Sequence, residues 1–166
     1  QISGIAHLMG LSEAVAAGED FRDTWFELTG DIDLGGLTVH NGNWNPIGWY
    51  RNRAEMAGDV ATPFRGHFDG GGHTVSGLKI INPEMQLRNI GLFGVIDGGT
   101  VKNLTVEADD IYGAERAAVL VGTLSGGAVI YGVNVSGYVY ATGDIGGIAA
   151  AVIGDSPAVG TVAAGN

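Results

Sequence analysis

The chain has 166 residues, 18 acidic and 8 basic side chains, a formal net charge of −10 at pH 7, and no cysteine. This charge balance disfavours binding to nucleic acid or to an anionic membrane surface, because both need clustered Lys and Arg. Without cysteine, disulfides and thiolate metal sites are excluded. Glycine accounts for 30 residues and apolar residues for 45%, where glycine ordinarily makes up about 7%. This composition indicates short strands joined by tight turns, and no apolar run approaches the roughly 18 residues that favour membrane insertion.

The first predicted element is a helix over residues 3–18. Ile5, Leu8, Leu11 and Val15 fall on one face at helical spacing, and Gly18 is placed to end the helix. An amphipathic helix at the start of a stack of strands can cover the exposed strand edges and the open core. We therefore predict that residues 3–18 form an N-terminal cap.

Residues 24–49 are predicted to form a first coil of strands, and residues 50–62 an inserted loop. The loop is polar and has no period, and inserted loops on repeat proteins often bind ligands. We predict a recognition patch for a host protein or a glycan at its start. The patch comprises Trp44, Trp49, Tyr50, Arg51 and Arg53. The alternative is that both tryptophans fill the coil beneath the helix.

The segment HFDGGGHTVSGLKI runs from His67 to Ile80 and holds three consecutive glycines. A phosphate-binding loop would need a following helix and usually a lysine, whereas here a strand pattern follows. Glycine suits a sharp corner, and Asp69 can hydrogen-bond the backbone of that corner. The segment is therefore predicted to be a turn.

An internal repeat of 26 to 29 residues follows. The segments TVSGLKI (74–80), TVKNLTV (100–106) and VIYGVNV (129–135) each alternate apolar and polar residues. A second series, GLFGVIDGG (91–99) and VLVGTLSGG (119–127), is offset by 28, and GGIAAAVIGD (146–155) resembles a third copy. The alignment predicts two columns of stacked apolar side chains. These columns are Leu78, Leu104 and Val133, and Ile80, Val106 and Val135.

Units of this length predict an all-β fold, a single-stranded parallel β-helix with regular coils over residues 63–166. A right-handed coil is expected from the usual chirality of parallel crossovers. Residues 160–166, GTVAAGN, look like the start of another coil. We therefore expect the whole of 1–166 to be one domain that is covalently continuous with further domains.

The quoted motifs together resemble the GLUG-motif β-helix domains of bacterial secreted and surface proteins. The signature that names the family is matched by Gly91-Leu92-Phe93-Gly94, whereas the copy at Val119–Gly122 lacks the first glycine. The resemblance covers about residues 5–150. It implies a place in a large secreted or wall-attached protein, such as an adhesin or the region ahead of the catalytic part of an immunoglobulin A1 metallopeptidase. It implies no catalytic residues.

Several acidic and histidine side chains are candidates for a metal or catalytic site. His67, Asp69 and His73 are ligand types that suit zinc or iron, but they flank a glycine corner. Polysaccharide-cleaving enzymes use clustered acids, yet none of the acids here recurs at a spacing that stacks two carboxylates. The acids considered for catalysis are Asp31, Asp33, Asp69, Asp97, Asp109 and Asp110, and those considered for calcium are Asp109, Asp110 and Asp144. We expect no catalytic, cofactor or metal site.

The function expected from the sequence is a non-catalytic extracellular module that acts as an adhesion segment or a rigid spacer. The alternative is an accessory, substrate-positioning domain of a secreted peptidase or polysaccharide-active enzyme. Among the aromatic residues, Phe64, Phe68 and Phe93 are predicted to be core. Tyr131, Tyr138 and Tyr140 fall at outward positions.

Overall fold

The computed structural model describes residues 1–37, 44–49, 62–81, 88–113 and 115–154. Within these ranges the chain forms one α-helix, α1 (Ile5–Ala16), and thirteen short β-strands. The strands are β1 (Trp25–Glu27), β2 (Ile32–Asp33), β3 (His67–Asp69), β4 (Thr74–Ile81), β5 (Asn89–Ile90), β6 (Phe93–Asp97), β7 (Thr100–Gly113), β8 (Arg116–Ala118), β9 (Val121–Ser125), β10 (Val129–Ser136), β11 (Val139–Ala141), β12 (Asp144–Gly146) and β13 (Ala149–Val152). The predicted all-β class is confirmed, and the strand pairs are parallel.

The strands form three parallel sheets. The long sheet holds β1 to β4, β7, β10 and β11, the second sheet holds β5, β8 and β12, and the third holds β6, β9 and β13. From β3 to β13 the chain visits the three sheets in turn, and we call each of these passages a rung and use the same word for β1 and β2 before them. The first rung contains β1 and β2, the second β3 to β6, the third β7 to β9, and the fourth β10 to β13.

The predicted repeat is confirmed between the third and fourth rungs. In the third sheet Val121 lies opposite Phe93 and Ala149 opposite Val121, so equivalent residues are 28 positions apart. In the long sheet Val133 lies opposite Leu104 and Val135 opposite Val106, 29 positions apart. Equivalent apolar side chains therefore stack between neighbouring rungs, as the alternation indicated.

In the long sheet the predicted register between the second and third rungs is wrong, whereas the third sheet keeps the predicted offset of 28 between the same rungs. Leu78 lies opposite Ala108 instead of Leu104, and Ile80 lies opposite Ile111 instead of Val106. The prediction aligns the strand after the bend at residues 70–73 with residues 100–102, which lie opposite His67–Asp69, the strand before that bend. In the second rung four residues occupy this bend, whereas two residues of the third rung, Asn103 and Leu104, lie opposite them. Strand β4 is therefore displaced along β7 relative to a gap-free alignment.

The triple glycine forms the predicted turn. Gly71 and Gly72 have φ values of 61° and 79°, and the backbone N–H of Gly71 donates to Asp69 Oδ1 at 3.0 Å. The bend is also bonded to the third rung, since the N–H groups of Gly70 and Gly72 donate to the carbonyls of Lys102 and Asn103, each at 2.8 Å. The glycines therefore serve backbone geometry.

The core lies between the three sheets and is rich in phenylalanine near the first two rungs. Phe64, Phe68 and Phe93 are fully buried, which confirms their predicted place. The Phe93 ring centroid lies 5.4 Å from that of Phe64 and 5.6 Å from that of Phe68. Phe68 belongs to β3 in the long sheet, Phe93 belongs to β6 in the third sheet, and Phe64 precedes β3, so these contacts join the two sheets across the core.

Helix α1 lies within the predicted range 3–18. It buries Leu8, Leu11 and Val15. The Ser12 hydroxyl donates to the carbonyl of Asn45 at 3.0 Å, which ties the helix to the segment 44–49. The helix therefore contributes its apolar face to the same core as the strands.

We expect Phe93→Ala to lower the free energy of unfolding by about 3–5 kcal/mol, because it removes a buried ring and leaves a cavity between two other rings. Tyr138→Ala is the matched control, since Tyr138 is 81% exposed and a surface substitution usually changes stability by less than about 0.5 kcal/mol. Equilibrium urea unfolding measures both. Equal midpoints for the two variants would contradict the assigned core.

We expect Gly94→Ala to destabilise the chain by about 1–3 kcal/mol through overpacking. An added Cβ at Gly94 would lie 2.7 Å from the carbonyl oxygen of Gly48, a backbone atom of the neighbouring rung. Gly10→Ala is the control, because Gly10 lies within α1 and an added Cβ meets no atom within 4 Å. There alanine should stabilise by up to about 1 kcal/mol. Urea unfolding should show midpoint shifts of opposite sign.

Candidate functional site

The predicted recognition patch lies only partly within the described residues. Trp44 is 2% exposed, and its indole Nε1–H donates to the carbonyl of Leu92 at 3.0 Å. Trp49 is half-buried and packs against the core. Tyr50, Arg51 and Arg53 lie outside the described residues. Trp44 therefore serves as a core residue, as the alternative interpretation held, and the rest of the patch stays a prediction.

The two ends of the predicted loop 50–62 are anchored side by side on β6. Before the loop, Ile47 pairs with Phe93, and after it Phe64 pairs with Ile96. The Thr62 hydroxyl donates to the carbonyl of Trp49 at 3.4 Å. Residues 50–61 lie outside the described part of the chain, and the described residues on either side of them lie against the same strand.

The three side chains considered as metal ligands each contact a different partner. His67 stacks on the Trp25 ring, with centroids 4.7 Å apart. His73 Nδ1 lies 3.2 Å from Asp31 Oδ1, and Asp69 Oδ2 lies 3.0 Å from Lys102 Nζ. In the described parts of the chain, no three or more His, Cys, Asp or Glu side chains are grouped to hold a metal ion.

The carboxylates considered for catalysis make turn and inter-rung contacts. Asp33 Oδ1 accepts from the backbone N–H of Gly35 at 2.8 Å, which repeats the turn geometry of Asp69. Asp97 accepts from Arg65 Nε at 2.9 Å and from the Ser125 hydroxyl at 3.1 Å, so it joins two rungs.

The carboxylates considered for calcium lie apart in the fold. Asp109 and Asp110 are on β7, where Asp110 lies opposite Lys79. Asp144 belongs to the second sheet, and its Oδ2 lies 3.7 Å from Arg116 Nε. Asp109 with Asp110, and Asp144, are alternative positions, and within the described ranges neither belongs to a group of three or more His, Cys, Asp or Glu side chains.

A different cluster appears on the outer surface of the long sheet. Two columns of paired strand residues run next to each other. One contains Trp25, His67 and Thr100, and the other contains Glu27, Asp69, Lys102 and Tyr131. Lys102 Nζ lies 4.7 Å from the centroid of the Trp25 ring, so the lysine pairs with Asp69 while also facing an aromatic ring. The sequence pattern does not reveal Trp25 and Lys102 as neighbours, because they lie in different rungs whose strands pair at offsets of 42 and 33 positions.

A shallow polar groove of about 530 Å³ continues from this cluster along the bend of the long sheet. Its polar side chains come from three rungs: Asp69 from the second, Asn103 and Thr105 from the third, and Asn134 from the fourth. Asn103 has a φ of 51° and donates its side-chain N–H to Asp69 Oδ1 at 3.1 Å. Gly71, Gly72 and Gly132 form the backbone walls of the groove.

Ion pairing sets the electrostatics of the cluster. Burial alone would raise the pKa of Asp69, but hydrogen bonds from Gly71, Lys102 and Asn103 outweigh it and hold the pKa below the ordinary 3.8. The hydrogen bond to Asp69 raises the pKa of Lys102, with a further contribution from Tyr131. Both groups are therefore charged near neutral pH. Separately, the backbone N–H of Thr74 and the nearby His73 lower the pKa of Asp31.

Comparison with known proteins found two similar regions in much longer chains. Over 103 residues the chain is 40% identical to a protein of Evansella cellulosilytica that carries the name Gly-rich membrane protein, covering 61% of this chain and 10% of that relative. Over 149 residues it is 30% identical to halomucin of Haloquadratum walsbyi, covering 89% of this chain and 2% of that relative. The chain thus spans a tenth or less of each. No protein-family model matches it, and no solved structure matches it.

Among the described residues, no helix has the length and apolar character needed to cross a membrane.

We expect Asp69→Asn to weaken the acid dependence of stability. Because the pKa of Asp69 is lower in the folded chain than the ordinary 3.8, its contribution is fully present above that value and disappears as the pH falls through the folded pKa. The variant should therefore be less stable than the unmodified chain at pH 7 and lose less stability below about pH 4. Urea midpoints between pH 7 and 2.5 measure this.

Asp109→Asn, at an exposed position of β7, is the control and should follow the acid profile of the unmodified chain. An unchanged profile for Asp69→Asn would contradict the assigned role of Asp69.

Proposed function

We propose that the chain is a right-handed parallel β-helix module, capped by α1, of a large bacterial surface protein. The module is non-catalytic and acts as an adhesion segment or a stiff spacer. The observation that carries the proposal is the near-constant offset between the third and fourth rungs, which is 28 or 29 residues in all three sheets. A chain that returns to the same three sheets at a constant interval builds a rod of uniform cross-section.

Stiffness follows from the way in which the rungs are joined. Each later rung is hydrogen-bonded to the next in three sheets, and side chains such as Ser125 and Asp97 bridge rungs at the bends. Each rung adds about 4.8 Å to the length, the spacing of hydrogen-bonded strands. Such a module holds whatever it carries at a fixed distance, which suits a spacer.

The comparisons and the charge support a surface location. One relative is named as a membrane protein and the other as a halomucin, and both are far longer than this chain. A net charge of −10 keeps an extended module soluble and separated from its neighbours. The resemblance to GLUG-motif domains points the same way. The accessory-domain alternative, in a secreted peptidase or polysaccharide-active enzyme, stays a prediction.

The contacts of the candidate acids support a non-catalytic role. Asp31, Asp69 and Asp97 each accept hydrogen bonds from groups that shape a turn or join two rungs. A carboxylate with a lowered pKa, such as Asp69, is a poor general acid near neutral pH.

We expect antibodies raised against this chain to label intact, unpermeabilised cells of the source organism, because a surface module is accessible from outside. Flow cytometry measures the labelling, and an antibody against a cytosolic protein of the same cells is the control. Labelling that appears only after permeabilisation would contradict the proposed location. Release of unsaturated products when the purified chain is incubated with acidic polysaccharides would contradict the non-catalytic role.

A further inference from the structure

The outer surface of the long sheet presents two aromatic side chains at the ends of a polar strip. Trp25, in the first rung, is 54% exposed, and Tyr131, in the fourth rung, is 43% exposed. Three strand spacings separate these rungs, which corresponds to about 14 Å. Between the two aromatic residues lie Asp69 and Lys102, in the same column as Tyr131.

Trp25 is held in place although its ring is largely exposed. One contact is the His67 ring, stacked at an interplanar angle of 21°, and another is Lys102 Nζ, 4.7 Å from the ring centroid. A ring fixed before binding loses little conformational entropy when a ligand stacks on it. Exposed aromatic side chains that are held in this way suit recognition better than mobile ones.

The groove beside the strip supplies both hydrogen-bond donors and hydrogen-bond acceptors. Asn103 and Asn134 carry amides, Thr105 carries a hydroxyl and Asp69 a carboxylate, and these groups line one concave surface across three rungs. Amides and hydroxyls can both donate and accept hydrogen bonds. A ligand rimmed with hydroxyl groups can therefore be satisfied at many points along the groove.

The charges favour a ligand without net charge. Lys102 is the cation of the strip, and Asp69 lies 3.0 Å from it and neutralises it. Glu27 stands in the same column as Asp69 and adds a negative charge. With a net charge of −10 on the chain, acidic polymers would be repelled.

We propose that Trp25, Tyr131 and the groove between Asp69 and Asn134 form a binding site for a neutral oligosaccharide that lies across the rungs. Sugar rings combine an apolar face, which stacks on aromatic rings, with hydroxyl groups, which pair with amides and carboxylates. This site rests on the adhesion arm of the proposed function and gives it a ligand class, whereas a stiff spacer needs no ligand. Surface labelling and ligand binding are separate measurements, so either can fail without the other.

The test uses the full chain and an array of neutral gluco-, manno- and galacto-oligosaccharides of six sugar units, with hexagalacturonate as the acidic probe. We expect at least one neutral hexasaccharide to bind, the acidic probe not to bind, and isothermal titration calorimetry to confirm the binding. Trp25→Ala should weaken the affinity at least tenfold, since stacking on an aromatic ring is a large part of such binding energy. Tyr131→Ala should weaken it several-fold.

Two further variants separate loss of the site from loss of the fold. Asn134→Ala changes an exposed groove residue without touching the Trp25 stack and should also weaken binding several-fold. Tyr138→Ala removes an exposed tyrosine outside the site and should bind as the unmodified chain does. Urea midpoints check that each variant is folded. Absence of binding to every neutral hexasaccharide, binding of hexagalacturonate alone, or full binding by folded Trp25→Ala and Asn134→Ala would overturn the proposal.

Discussion

Parallel rungs can hydrogen-bond along their whole length only if every rung bends at the same place. The third sheet meets this requirement with a column of glycines, Gly98, Gly126 and Gly154, which have φ values of 76°, 60° and 89° and are spaced by 28 residues. Left-handed backbone of this kind is strained for other residues. Part of the high glycine content follows from this repeated bend.

The same requirement explains which parts of the fold the sequence predicts. Between residues 100–106 and 129–135 both rungs bend over equal numbers of residues, so a gap-free alignment finds the observed register. The shared Thr-Val of 74–75 and 100–101 misleads, because Val75 lies opposite Val106 and Phe68 opposite Val101. Alternation of apolar residues identifies a strand but does not show how many glycines belong to a bend. The register therefore becomes predictable only where the bend lengths match.

In the candidate site, roles that depend on neighbouring residues are predictable from the sequence, whereas contacts between rungs are not. Burial of Phe68 and Phe93 follows from their apolar context, and the role of Asp69 in its turn follows from the adjacent glycines. Trp25 and Lys102 meet across rungs whose offsets are set by an insertion and an unequal bend. Trp44 shows the opposite error. Its place next to a polar segment predicts a ligand-binding residue, yet its indole N–H donates to the buried carbonyl of Leu92. The sequence pattern alone does not distinguish these two environments.

The anchoring of residues 47 and 64 on one strand has a consequence for variation between related chains. Because both ends of the intervening segment are fixed on β6, its length and composition can change at little cost in loop-closure entropy, and no rung has to shift. Evolution can therefore diversify this segment while keeping the scaffold constant, and the same junction is a natural place to graft a foreign peptide for display.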